Sequence, residues 1–237
     1  MKKILFIILL FSTISNAQEL ENKFSSSLCE CFDDNQTELK EDFEINILEK
    51  CLHSAFQLIE DEFSELILKD IDTTYLEIED AYQYGFQYGF QYGQKIFGNI
   101  QEKLVNECDS YFEFSNKLIS LMETNLAKES SQKKIDSLTG LINKSPMKIE
   151  LLWERGANSI GVRDYKSAQL DFKKCLKIDS SYVPALFFLG CSYNLDDNPK
   201  KAIETFEIII AQNKDFGSIG DMTKIYLAFL KRKIREK

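Results

Sequence analysis

Histidine and proline are the scarce residues of this chain, and their scarcity narrows its chemistry. One histidine, His53, gives Ser/His-type triads and zinc sites built on several imidazoles almost nothing to work with. It shares a helical face with the polar Glu49 and Gln57, which marks it as a surface residue. No proline precedes Pro146, so nothing there forbids long helices. Positive charge is also short: 29 Lys and Arg face 38 Asp and Glu, for a net charge of −9. The deficit is steepest from Glu30 to Asp80, with seventeen acids against three lysines. Such a surface repels polyanions and excludes nucleic acid as a partner. No apolar run is long enough to span a bilayer, since the longest, from Ile4 to Phe11, covers under half of the required length.

What that run does match is an export signal. Lys2 and Lys3 precede it, and the small-residue end at Ser15, Asn16 and Ala17 follows it, so cleavage is expected before Gln18. No cysteine follows Ala17 to accept a lipid. Losing the two lysines would take the net charge from −9 to −11. The product is expected in the periplasm or outside the cell, with no stable membrane insertion.

Apolar residues recur at helical spacing, and an all-α fold follows. Leu20, Phe24, Leu28 and Cys31 form one stripe. Leu48, Cys51, Leu52, Ala55, Ile59, Phe63, Leu66 and Ile67 form a second, and Phe97, Ile100, Leu104, Cys108 and Tyr111 a third. These predict an N-terminal bundle over residues 18–127, broken near Asp33 to Glu41 and again near Asp70 to Thr74. Within it, Tyr82 to Gly93 writes Gln-Tyr-Gly-Phe almost three times. That segment fits a strand by alternation, but helical flanks and the lack of a partner strand favour a helix with a glycine groove. A polar, Ser-rich stretch from Lys128 to Lys134 marks the boundary. Residues 128–148 are linker and lead-in helix.

Six cysteines in an exported chain point to disulfides. Residues two apart on a helix are separated by about 200 degrees, so Cys29 and Cys31 must each reach a different helix. Cys51 and Cys108 are the expected partners, in an order the spacing leaves open. Cys175 and Cys191, at packing or groove positions of the repeats, are expected to be free, with a third bridge between their adjacent helices as the alternative. The rival use of Cys29 and Cys31 is a redox-active pair, although exchange sites usually place two residues between the cysteines. No catalytic, cofactor or metal residues are predicted: the run Asp70, Asp72, Thr74 fails as a calcium loop because Tyr75 and Ala81 stand where Gly and Glu are needed.

Residues 149–216 repeat themselves at 34 residues. Leu152, Gly156, Asp164, Ala168 and Phe172 align with Leu186, Gly190, Asn198, Ala202 and Phe206. Each unit builds two antiparallel helices in which glycine lets alanine approach and phenylalanine fills the wedge. Asp164 and Asn198 are N-caps, with Pro199 at the first helical position. Residues 217–237 carry Met222, Ile225, Tyr226 and Phe229 on an amphipathic last helix, ending in a basic stretch that complements the helix dipole. Ile135, Leu138, Leu141 and Ile142 look like the second helix of a degenerate preceding unit.

The period, caps and packing positions resemble the tetratricopeptide repeat, in the variant with Arg155, Gly156, Asp164 and Tyr165. The resemblance covers Ile149 to Lys214. Departures are Ser159 in place of a large aromatic, Pro199 in place of the turn tyrosine, and Ser180 and Lys214 in place of the closing proline. The resemblance implies a concave face gripping a peptide or protein partner, and carried over by position that face shows Trp153, Ala157, Ile160, Phe187, Cys191 and Asn194. The Cys-x-Cys start and repeat tail together are also similar to exported proteins of Bacteroidetes-type bacteria. The expected role is therefore a non-enzymatic adaptor, with a thiol-disulfide protein or a small-ligand carrier built on Tyr82 to Tyr92 as alternatives.

Overall fold

Among the described residues the chain forms eleven helices and no strand. The computed structural model describes residues 2–36, 46–70, 93, 95–212, 214 and 216–236, with side chains left out at 2–17 and 66–70. All-α is what the apolar periodicity predicted. Apart from Gly93, the aromatic segment Tyr82 to Gly93 lies outside the described residues, as do the proposed breaks beyond residues 36 and 70. The chain divides into two compact units, Met1–Phe114 and Ser115–Lys237.

The first unit holds α1 (Lys2–Asp34), α2 (Asn46–Gln57), α3 (Glu60–Asp70), α4 (95–107) and the start of α5 (Asp109–Glu129). The stripes foreseen in the sequence become its core: Leu20, Phe24 and Leu28 of α1, Cys51 and Ala55 of α2, and Ile100, Leu104, Cys108 and Tyr111 are all buried. Phe32, outside those stripes, is fully buried too, with its ring 5.1 Å from Tyr111 and 5.0 Å from Phe114. The second stripe is not one helix. A turn at Leu58 and Ile59 divides it, with the Ile59 amide donating to the Phe56 carbonyl at 3.0 Å. The turn leaves Leu58 70% exposed and sets Phe63 edge-on to Phe56 at 4.9 Å. A buried Tyr111 hydroxyl donates to Gln101, a polar core pair that apolar patterning could not reveal.

The second unit begins inside α5, at Ser115, rather than in the polar stretch near Lys128 where the sequence suggested a boundary. That stretch is only a two-residue break. Ser131 caps α6 (Gln132–Lys144) by accepting from the Lys134 amide. Then come α7 (Ile149–Gly161), α8 (Tyr165–Ile178), α9 (Val183–Leu195), α10 (Pro199–Ala211) and α11 (Ser218–Arg235). Helices α7 and α8 form one hairpin and α9 and α10 a second; α8 packs on α9, α6 on α7, and α11 on α10.

The 34-residue period is reproduced in the backbone. Arg163 and Asp197 both take a left-handed conformation, at φ 66 and 54. The next amides, of Asp164 and Asn198, donate to Ser159 and Tyr193 at 2.8 and 2.9 Å. The two side chains then cap α8 and α10, accepting from the Ser167 and Lys201 amides. Inside each hairpin, the sequence suggested that glycine makes way for alanine. The closest neighbour is instead the phenylalanine: a methyl on Gly156 would lie 2.7 Å from the Phe172 ring, and one on Gly190 2.5 Å from Phe206. Ala168 and Ala202 are fully buried beside these rings. Of the lead-in stripe, Leu138 and Ile142 are buried, but Leu141 is exposed.

Candidate functional site

The helices that should form an open concave face, α7 and α9, turn four of its six residues into core. Ile160 and Cys191 are 3% and 6% exposed, Phe187 3% and Ala157 8%. The covering groups come from the same unit. The Phe187 ring packs on Tyr226 of α11 at 5.7 Å and on Phe206 at 5.8 Å, and the Tyr226 hydroxyl hydrogen-bonds Cys191. Leu126 of α5 packs on the cluster that contains Ile160. Gly161 closes that contact, because a methyl there would sit 2.5 Å from the Leu126 carbonyl oxygen and 2.2 Å from the Ser130 hydroxyl. Trp153 is half-buried and meets Phe188 edge-on at 5.3 Å. The expectation of a peptide-gripping face built on Trp153, Ala157, Ile160, Phe187 and Cys191 is therefore corrected. Apolar side chains large enough to anchor a peptide are large enough to be worth burying, and two helices whose amphipathic faces needed a partner bury them.

Asn194 is half-buried, like Trp153. It borders a cleft of about 360 Å³ within the second unit. Ile119, Leu195, Phe229 and Leu230 give the cleft an apolar floor, and Asn116, Ser120, Glu123, Asp197 and Lys233 join Asn194 around it. The elements that position these groups are α5, the end of α9 with its left-handed turn, and α11. Burial raises the Glu123 pKa, and the Lys233 charge partly offsets this. The site thus presents opposite charges beside amides over apolar carbon. The only signal in the sequence for this cleft was the amphipathic last helix.

The cysteines follow the expected scheme and settle the open order. Cys29 bonds Cys108 and Cys31 bonds Cys51, with Cα–Cα separations of 5.8 and 5.5 Å. Positions two apart on α1 reach different elements, α2 and the junction of α4 with α5, as the helical angle requires. Cys175 and Cys191 are free and buried. Burial pushes both thiols up to about 12, aided at Cys175 by the Asp171 charge, so neither is a nucleophile near neutral pH. His53 is exposed. No family model, curated protein or solved structure matches this chain.

One buried constellation is structural. Arg155 donates to both Asp171 oxygens, at 2.7 and 2.6 Å, and to the Thr139 hydroxyl at 3.0 Å, tying α7 to α8 and α6. In the second hairpin the same register holds Leu189 and Thr205, both buried. The ion pair therefore belongs to packing, since its counterpart is built without charge.

Proposed function

We propose that this chain is an exported adaptor whose second unit is a short tetratricopeptide-type module, taking a polypeptide segment in the cleft bounded by α5, α9 and α11. The observation that carries this reading is the cleft's make-up: accessible apolar carbon at Leu195 and Ile234, over the buried Ile119, Phe229 and Leu230, within a polar rim that holds both Glu123 and Lys233. That is the anatomy of a protein-recognition patch, where apolar contact supplies affinity and the rim supplies specificity. Support for the repeat assignment is the duplication of turn, cap and ring packing at one 34-residue interval. Support for export is the N-terminal pattern together with two disulfides. Among the described residues no helix is long and apolar enough to cross a membrane.

Photo-crosslinking tests the proposal. A benzophenone side chain is placed at Ser120 or Asn194 in the full chain, with exposed Lys173 on α8 as the control position. The expected outcome is a polypeptide adduct at 120 and 194, absent at 173 and weakened by Lys233→Glu. No adduct at either cleft position, or equal yields at 173, would overturn it.

A further inference from the structure

The two disulfides differ in what surrounds them. Cys51 is fully buried. Its partner Cys31 sits under Asn35, whose amide nitrogen donates to the Cys31 carbonyl at 2.7 Å and lies 3.7 Å from the Cys31 sulfur. Lys50 holds Asn35 there through a 2.8 Å hydrogen bond. Cys29 is half-buried, as Cys31 is, but instead of lying under an anchored side chain it borders an open cleft of about 260 Å³ whose lining also includes Cys108. A nucleophile entering the cleft meets the Cys29 sulfur, while Cys108 is 2% exposed.

Cys108 is well placed to leave. It directly precedes Asp109, the first residue of the 21-residue α5, and the Ser110 hydroxyl lies 3.2 Å from its sulfur. A helix N-terminus and a hydroxyl donor both stabilise a thiolate, and a stabilised thiolate leaves faster. The cleft also carries a charge preference. Glu30, Asp33 and Glu107 line it against one cation, Lys103, whose ammonium donates to Asn22 at 2.7 Å. An Asp33 oxygen lies 3.8 Å from the Cys29 sulfur.

We infer that Cys29–Cys108 is a thiol-exchange site that takes a thiol carried by a cationic molecule, while Cys31–Cys51 is purely structural. In the first step a thiolate attacks the Cys29 sulfur, the Cys29–Cys108 bond breaks, and Cys108 departs as a thiolate that takes a proton from water. A second thiolate then attacks the outer sulfur of the mixed disulfide and frees Cys29. The protein bond gains two electrons and two protons, and two molecules of the external thiol become its disulfide.

The native full-chain protein tests this with three small thiols: cysteamine, 2-mercaptoethanol and mercaptoacetate. Each rate is divided by that thiol's rate on a small neutral disulfide, which cancels intrinsic nucleophilicity. Opened cysteines are identified by alkylation and peptide mass spectrometry. Expected are labels on Cys29 and Cys108 with Cys31–Cys51 intact, and a normalised preference for cysteamine over mercaptoacetate of about tenfold at low salt that collapses toward one in high salt. Asp33→Asn should shrink the preference, and Glu30→Gln gives a second reading of the same effect. Opening of Cys31–Cys51 first or in step, or no charge preference in the wild-type protein at low salt, overturns the inference.

Discussion

Gly156 differs from alanine by one methyl group, and the ring of Phe172 already occupies the place that methyl would take, 2.7 Å away. Phe172 is fully buried, so it has nowhere to retreat. Gly156→Ala should therefore cost about 1–3 kcal/mol despite alanine's better helix propensity. Gly190→Ala should cost at least as much, because Phe206 is closer at 2.5 Å and is itself packed against Phe187 and Tyr226. Denaturant unfolding of each variant measures this; unchanged or raised stability would remove the close approach from the account. The glycines were legible from their 34-residue spacing, but their neighbour was not: periodicity gives positions along the chain and says little about which side chain crosses between helices.

Glu123 carries a second residue-scale prediction, a pH dependence. Its pKa is raised in the folded protein, first by burial. The folded state thus holds the proton more tightly than the unfolded chain, and stability falls as pH rises through the window between the two values. Glu123→Gln should be more stable than wild type at neutral pH, and the advantage should vanish below the unfolded glutamate value of about 4.3. Unfolding curves of both proteins across that range test it; a difference that grows toward acid would have the wrong sign.

At the scale of elements, hairpins hold together by two interchangeable solutions. Arg155 and Asp171 bridge α7 and α8 with side chains 16% and 4% exposed, and the equivalent places in α9 and α10 hold Leu189 and Thr205. Removing one member of a buried pair strands a charge, so Asp171→Ala or Arg155→Ala should each cost about 3–5 kcal/mol. The double exchange Arg155→Leu with Asp171→Thr imports the second hairpin's answer and should cost far less than either single change. A thermal-denaturation cycle decides the matter, and a double variant as weak as the sum of the singles would refute it. The helices themselves were easy to anticipate, because caps such as Asp164, Asn198 and Pro199 are local signals. The division of the second apolar stripe at Leu58 and Ile59 was not, since no proline or glycine marks that turn.

For the molecule as a whole, the first unit depends on covalent links that close loops of very different length. Cys31–Cys51 spans 20 residues and Cys29–Cys108 spans 79. Replacing Cys31 and Cys51 together by serine should cost about 3 kcal/mol, chiefly by freeing the unfolded chain. Hydrogen exchange at amides of α1 and α2 reads that loss, and full retention of protection there would contradict it. The sequence by itself determined that the chain is helical, where its hairpins begin and which four cysteines pair off, because capping, apolar period and helical angle act over a few residues. Only the tertiary structure decided the pairing order of the cysteines, the phenylalanine that each glycine faces, and the fate of the concave face. Those outcomes turn on which amphipathic helices find one another, and an apolar stripe states that a partner is needed without naming it.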